Sequence, residues 1–337
     1  DNMEQPRFVM LVGLAGSGKS YFAKELMEGR DDIVYLSSDS IREELTGDEN
    51  NQDVNVEVFN QMAIRTKEAL KIGKHVIYDA TNISRKRRKG FLQQLSKGVH
   101  KTAVYISTDY DKVLEQNSER ERVVPEMAIK RMYKNLQIPI YGEGWDNIRI
   151  IHDDFTVNNE LPKQFSDAIR VGVLLGREGY DLMPELATYF NEFFDILDMP
   201  QDSKWHSFSV SRHTYYVYKH VLDNYEAEDD TEKELMLWTA LLHDTGKYIS
   251  KCFENRKREE TRYANFIGHE HVSSQLSVNL LKRLGFDNQF IHTVATLTQF
   301  HMYLLDEKAN RQKLKDLVGE DLFKKLEFLR DADTLAH

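Results

Sequence analysis

The run Gly13-Leu14-Ala15-Gly16-Ser17-Gly18-Lys19-Ser20 constrains this chain more than any other feature. It fits G-x-x-x-x-G-K-[ST], a glycine-rich turn that aims backbone N–H groups at a phosphate where a helix begins and adds its dipole. The flanks agree. Phe8-Val9-Met10-Leu11-Val12 reads as a short buried strand and Tyr21-Phe22-Ala23-Lys24-Glu25-Leu26-Met27 as an amphipathic helix. Strand, loop and helix in that order weigh against a glycine turn without function.

Further short apolar runs follow at Ile33-Val34-Tyr35-Leu36, His75-Val76-Ile77-Tyr78, Ala103-Val104-Tyr105-Ile106 and Ile148-Arg149-Ile150-Ile151. Their alternation with helical patterns predicts a parallel sheet flanked by helices, an α/β fold. From about Gln164 onward strand-like runs vanish and 3.6-period helices take over, which predicts an all-α second domain. With 337 residues, too many for one ordinary core, the expected division is a first domain over 1–155, a linker over 156–170 and a second domain over 171–337. The polar stretch 153–163, with Asn158, Asn159 and Pro162, is the expected joint. A polar start, one cysteine (Cys252) and no apolar run of about 18 residues give the expectation of a cytoplasmic protein without a membrane partner. The net charge of −10 argues against a surface coated by nucleic acid, while leaving room for a local basic groove.

The acceptor side of the first site is read from Ser37-Ser38-Asp39-Ser40-Ile41-Arg42, where a strand hands over to a helix. Asp39 is placed to accept a hydroxyl proton and Arg42, one turn on, to grip a phosphate of the acceptor. The alternative is that Asp39 only caps the helix from Ser40 to Leu45. Asp79-Ala80-Thr81-Asn82 ends the next strand, with Asp79 near a metal or orienting Arg42. The cations Arg85-Lys86-Arg87-Arg88-Lys89 are expected to line a path for a polyanion, with a solvated helix face as the alternative. Asn117-Ser118-Glu119-Arg120-Glu121-Arg122-Val123-Val124-Pro125 has the character of an arginine lid over the γ-phosphate, with a surface helix end carrying Arg–Glu pairs as the alternative.

Together these residues, over about 140 positions, resemble the 5′-kinase domain of bacteriophage-type polynucleotide kinases. The likeness extends through Pro125, Arg131-Met132-Tyr133 and Pro139-Ile140-Tyr141. It implies that Lys19 and Ser20 bind ATP and Mg²⁺ within a loop made by Gly13, Gly16, Ser17 and Gly18. It also makes Asp39 the general base, Arg42 the acceptor-phosphate ligand and Arg120 the lid arginine. Gln116 stands where the family often has a second arginine, which Arg122 is placed to replace.

Nine of the twelve histidines lie from His206 onward, a clustering that points to metal. His213 falls in one predicted helix. His243-Asp244 ends the apolar helix from Leu235 to Leu242, and Gly268-His269-Glu270, His301 and Arg330-Asp331-Ala332-Asp333 follow. Imidazole and carboxylate ligands from separate helices suit Mn²⁺, Ni²⁺, Co²⁺ or Zn²⁺ among others. His206 and His220, each seven residues from His213, are expected on its helical face as supporting or phosphate contacts. His271 and His292 are read as structural.

The order His, His-Asp, Gly-His-Glu, His, Ala-Asp resembles the HD phosphohydrolase superfamily from about Gln201 onward. Gln201, Trp205-His206 and His213-Thr214 are closest to HD domains attached to RNA-processing enzymes, including HD–polynucleotide kinase fusions, though those fusions place the HD domain first. The resemblance implies that His213, His243, Asp244 and Asp333 hold one metal, and that His269 and His301 hold a second metal or phosphate. Asp331 cannot share a helical face with Asp333, so one of them serves, and the Ala-Asp-x-Leu context favours Asp333. Asp331-Ala332-Asp333-Thr334 has the wrong spacing for an Asp-x-Asp-x-Thr phosphatase.

Three readings stand. The first is an RNA end-healing enzyme that phosphorylates 5′-OH ends of RNA or DNA with ATP, removes 2′,3′-cyclic or terminal phosphates, and prepares ends for a separate RNA ligase. The second joins a small-molecule or nucleotide kinase to an HD nucleotidase. The third makes the HD half a sensor without turnover, against which the full set of candidate ligands argues.

Overall fold

The computed structural model describes residues 5–152 and 161–336. Contacts divide the chain into two compact units, Asp1–Asp153 and Asp154–His337. Positions 153–160 of the expected joint lie outside the described residues, and from Lys163 the chain is helical rather than linker-like.

The first unit is built on five parallel strands in the order β2-β3-β1-β4-β5. They are β1 (Arg7–Val12), β2 (Ile33–Ser37), β3 (His75–Asp79), β4 (His100–Ser107) and β5 (Asn147–His152). Helices α1 (Lys19–Met27), α2 (Ser38–Thr46), α3 (Asn55–Lys71), α4 (Arg85–Leu92), α5 (Tyr110–Ser118) and α6 (Glu126–Tyr133) connect them. One core cluster joins Leu11, Ile77, Val104 and Ile106 to Ala23 of α1, with Phe22 and Leu26 packed against it. A second aromatic cluster sets Phe8, Tyr78 and Phe91 within 5.0–5.7 Å of one another. Burying apolar side chains on both faces of the sheet is what makes its strands read as apolar runs rather than alternating ones. Because every strand runs the same way, the chain leaves β1, β2 and β3 at one edge, where such sheets hold ligands.

The cations at 85–89 do not act as one surface. Arg88 is buried and bonds Glu143 through Nε at 2.7 Å and Nη2 at 3.0 Å, while its Nη1 donates to the Asn82 carbonyl at 2.7 Å. Arg85 lies 3.7 Å from the same carboxylate, and burial lowers its pKa to about 10 against the pull of Glu143. Only Lys86, Arg87 and Lys89 are exposed, so the expected polyanion path loses two of its five cations to the core. A buried carboxylate stripped of its partner is expensive, so Arg88→Ala is expected to destabilise this unit by about 3–5 kcal/mol. Urea unfolding followed by tryptophan fluorescence reads this directly, since Trp145 Nε1 donates to Glu143 Oε1 at 3.1 Å. A loss under about 1 kcal/mol would mean the pair is dispensable.

The second unit is mostly helical. Its helices are α7 (Lys163–Leu175), α8 (Leu182–Tyr189), α9 (Asn191–Ile196), α10 (Val210–Asn224), α11 (Asp230–Leu242), α12 (Lys247–Ser250), α13 (His269–Arg283), α14 (Asn288–Phe300), α15 (Arg311–Val318) and α16 (Glu320–Leu335). Every residue of α11 from Leu235 to Leu242 is buried, the mark of a central helix apolar all round. A polar antiparallel hairpin, β6 (Cys252–Glu254) and β7 (Glu260–Asn265), departs from the all-α expectation. Its strands are short and charged, so they lack the apolar runs by which strands are read. Among the described residues no helix is long and apolar enough to cross a membrane.

Candidate active sites

The phosphate loop leaves β1 and enters α1. Gly13 N donates to the Thr81 carbonyl at 3.1 Å, tying the loop to the end of β3. Gly16 has φ +89°, and a Cβ there would stand 2.9 Å from the Val113 carbonyl oxygen, so only glycine lets the loop lie against α5. Lys19 is buried with Nζ on the Leu14 carbonyl at 2.9 Å. Burial pushes its pKa down, Asp79 pushes it up, Arg120 down and Asp39 up.

Asp79 is paired with Ser37 of β2 and Leu11 of β1 in the sheet register. Its carboxylate accepts from Ser20 Oγ at 3.3 Å and from the Tyr35 hydroxyl. It does not orient Arg42. That guanidinium is buried and bonds Asp39 at 2.9 Å, Asn55 Oδ1 at 2.8 Å and the Glu49 carbonyl at 3.4 Å. Nor does Asp39 cap α2. Ser37 does, accepting from Ser40 N at 3.3 Å, and Asp39 sits in the first turn with its side chain paired to arginines instead.

The segment after α5 closes over the same carboxylate. Arg120 lies 3.8 Å from Asp39, and Arg122 bonds it directly while its Nε donates to Asn50 Oδ1 at 2.7 Å. Asn117 fixes the segment at both ends of one amide: Nδ2 donates to the Val124 carbonyl at 2.7 Å, and Oδ1 accepts from Val124 N at 3.0 Å. Gln116 turns inward and donates to the Gly16 carbonyl at 3.0 Å. The residue that stands in place of an arginine thus braces the phosphate loop.

In the second unit, His213 of α10, His243-Asp244 after α11 and Asp333 of α16 converge, and Asp244 also meets His269 and His301. His213 Nε2 is 2.7 Å from Asp333 and 3.5 Å from Asp244, and His243 Nε2 is 3.2 Å from Asp244 and 3.3 Å from Asp333. The other oxygen of Asp244 is 3.2 Å from His269 and 3.5 Å from His301. Four Nδ1 atoms face backbone carbonyls: His213 that of Ala336, His243 that of Ala240, His269 that of Phe266 and His301 that of Thr298. Such bonds direct every Nε2 toward the carboxylates. Gly246 makes the convergence possible, since a Cβ there would lie 2.4 Å from the His269 carbonyl oxygen and 2.7 Å from Ser273 N.

Residues 8–139 match the AAA domain family and residues 206–336 the HD domain family. The chain joins a P-loop kinase-like domain to an HD domain. Among solved structures, it is 22% identical to a chain of a Pnkp1/Rnl/Hen1 complex over 37% of this chain and 42% of that one, with a TM-score of 0.32. Against the Pnkp1/Rnl/Hen1 RNA repair complex the identity is 22% over 39% and 44%, with a TM-score of 0.35. A gluconokinase from Sinorhizobium meliloti 1021 is 15% identical over 44% of this chain and 83% of that one, with a TM-score of 0.33. The chain spans less than half the length of the two Pnkp1/Rnl/Hen1 chains it matches.

The HD domain cluster fits a divalent metal on its own geometry. His269 Nε2 and His301 Nε2 stand 3.2 Å apart, and with both Nδ1 protons on carbonyls two lone pairs face each other unless a cation lies between. Separations near 3 Å also match ligand atoms each roughly 2.1 Å from a shared ion. Burial works against charge on His243, but Asp244 and Asp333 outweigh it and raise its pKa to about 10. A proton there offsets the carboxylates in the metal-free protein, and a metal displaces it, so metal affinity rises with pH.

His206 does not share the helix of His213. Ser209 caps α10 by accepting from Arg212 N at 3.1 Å, which leaves His206 in the preceding loop, its ring 5.3 Å from that of His213. Burial, followed by the Lys247 charge, pushes its pKa down to about 4, so it stays neutral near pH 7. His220 does lie on the helical face of His213, two turns on, but there it packs on Phe328 and bonds Asn224. Asp331 is 62% exposed and pairs with Arg330, whereas Asp333 is 15% exposed and faces the histidines. Lys247, unremarked in the sequence, is buried 3.3 Å from Asp244 and donates to Gln201 Oε1 at 2.8 Å.

Proposed function

We propose that this protein heals polynucleotide ends, above all those of RNA. The kinase-like domain transfers the γ-phosphate of ATP to a 5′-OH, and the HD domain removes a 2′,3′-cyclic or terminal 2′ or 3′ phosphate. The observation that carries the reading is Asp39, one carboxylate within the field of Lys19 and engaged by Arg42, Arg120 and Arg122.

Arg42 is anchored by Asn55 and Glu49, so it keeps its place and presents a cation for a phosphate beside the acceptor hydroxyl. Arg120 and Arg122 are held through Asp39, and the phosphates of ATP compete for them. Their release leaves an Asp39 oxygen to take the proton of the 5′-OH as the 5′ oxygen bonds the γ-phosphorus and the bond to the departing ADP breaks. Lys19 and the loop amides hold the phosphates. Ser20 and Asp79 offer the oxygen ligands suited to Mg²⁺, which when bound with ATP would neutralise phosphate charge.

In the HD domain, His213, His243, Asp244 and Asp333 hold one divalent ion, with Mn²⁺, Ni²⁺, Co²⁺ and Zn²⁺ as candidates, and His269 and His301 take a second ion or the phosphate. Such an ion, when bound, would lower the pKa of a water and polarise a phosphoryl oxygen. Asp244 spans both groups, Lys247 adds a cation beside it, and neutral His206 supplies a hydrogen bond without charge.

The buried Arg88 favours a second reading, a small-molecule kinase, because the basic path is weaker than the sequence suggests. Initial rates with ATP and Mg²⁺ separate the two. A 5′-OH oligonucleotide is expected to exceed a nucleoside 3′-phosphate in kcat/KM by about tenfold or more. Equal rates would move the assignment to a small acceptor.

A further inference from the structure

We infer that the β6–β7 hairpin and the loop before α10 form a binding platform for a single polynucleotide strand, leading its terminal phosphate into the HD cluster. The inference rests on the phosphohydrolase reading above and adds to it the place where the strand is held.

Three large aromatics of this region face solvent: Trp205 in the loop, Phe253 on β6 and Tyr263 on β7. Trp205, at 74%, is the most exposed of them. Each carries a cation near its ring face, Lys204 at 5.4 Å, Lys251 at 5.5 Å and Arg262 at 5.2 Å respectively. Alternation of ring and cation is the chemistry that stacks bases and tracks a phosphate backbone without reading sequence.

The hairpin tip adds Arg256, Lys257 and Arg258, all exposed and in no ion pair among the described residues. Between Lys251 and Arg262 five cations stand against three carboxylates, in a chain whose net charge is −10. A positive segment on an acidic protein marks a local site for an anion rather than a general affinity.

Both parts of the platform run directly into the metal cluster. The loop continues from Trp205 to His206, whose ring touches that of His213, and β7 continues through Phe266, whose carbonyl accepts from His269 Nδ1 at 3.0 Å. They are also tied together: Ala264 N donates to the Asp202 carbonyl at 2.9 Å, and Lys251 Nζ donates to Asp202 Oδ2 at 2.7 Å and to the Pro200 carbonyl. A strand stacked on the rings has its end delivered to imidazoles and carboxylates, whereas a small phosphoester would reach them without touching the platform.

The test uses the full-length chain loaded with Mn²⁺, a Trp205→Ala variant and a triple variant, Arg256→Ala, Lys257→Ala and Arg258→Ala, each checked for an unchanged thermal transition. Fluorescence anisotropy of a labelled single-stranded oligonucleotide with a 3′-phosphate is expected to show affinity reduced about ten- to hundredfold in either variant. The triple variant is also expected to have a flatter salt dependence. The ratio of kcat/KM for that oligonucleotide to kcat/KM for 4-nitrophenyl phosphate should fall by a similar factor. Oligonucleotide affinity equal to that of the unsubstituted protein in both variants would overturn the platform, even if both esters are hydrolysed. Loss of a dimer in light scattering with oligonucleotide affinity unchanged would overturn it too, in favour of a second copy of the chain. If the unsubstituted protein hydrolyses neither ester, the phosphohydrolase reading fails while the anisotropy still decides the platform.

Discussion

Asp244→Ala is expected to remove phosphohydrolysis, lowering kcat by on the order of 10³–10⁴ while 5′-phosphorylation by the same preparation is unchanged. The size follows from where the side chain sits. One Asp244 oxygen lies 3.2 Å from His243 and the other 3.2 Å from His269, so a single residue belongs to both groups that could hold a metal ion. Among the described residues Asp333 pairs with His213 and His243 and so does not duplicate Asp244 on the His269 and His301 side. Removal also leaves Lys247 buried without its carboxylate 3.3 Å away, which adds a stability cost of about 3 kcal/mol or more. Asp244→Asn, which keeps the shape, separates the two effects. It should retain the thermal transition better than the alanine variant, yet lose bound metal by elemental analysis. Full hydrolase activity in either variant would place the chemistry elsewhere.

Asp39→Asn carries the second large effect, a fall in phosphorylation of about 10²–10⁴-fold with ATP binding retained. The amide keeps the volume and one oxygen, but it cannot take the proton and it weakens the hold on Arg42, Arg120 and Arg122. Lys19→Ala, by contrast, should weaken ATP binding as well, because its ammonium lies within the phosphate loop itself. Equilibrium binding of a fluorescent ATP analogue, set beside initial rates of phosphorylation, distinguishes the two. Unchanged rates in Asp39→Asn would reduce that residue to a structural partner of the arginines.

Much of this arrangement is legible in the sequence because local chemistry dictates it. The phosphate loop needs glycine at a positive φ and a strand before it, and both are visible at Gly16 and in the apolar run before Gly13. The central strands β1, β3 and β4 are largely buried and so appear as continuous apolar runs. The histidines of the HD domain stand out because their clustering and order do not depend on knowing how the helices pack.

What stays hidden depends on pairing at long range. Tyr35 reads as one more apolar strand residue, and its role on Asp79 follows only once Ser37 is known to lie opposite Asp79, which sets both side chains on one face of the sheet. Arg88 belongs to a run of five cations until the fold brings Glu143 to it from 55 residues away. The seven-residue step from His206 to His213 suggests a shared helix, but Ser209 starts that helix later and leaves His206 in a loop. The polar hairpin has no apolar pattern to announce it, and the aromatics it exposes look ordinary in the sequence.

The most direct test is mass spectrometry of one short RNA bearing a 5′-OH and a 2′,3′-cyclic phosphate, incubated with the protein, ATP, Mg²⁺ and Mn²⁺. Gain of a phosphate at the 5′ end and loss of the cyclic phosphate at the other are expected, with Asp39→Asn stopping only the first and Asp244→Ala only the second. An RNA unchanged at both ends, while a small phosphate acceptor is consumed under the same conditions, would contradict end healing by this protein.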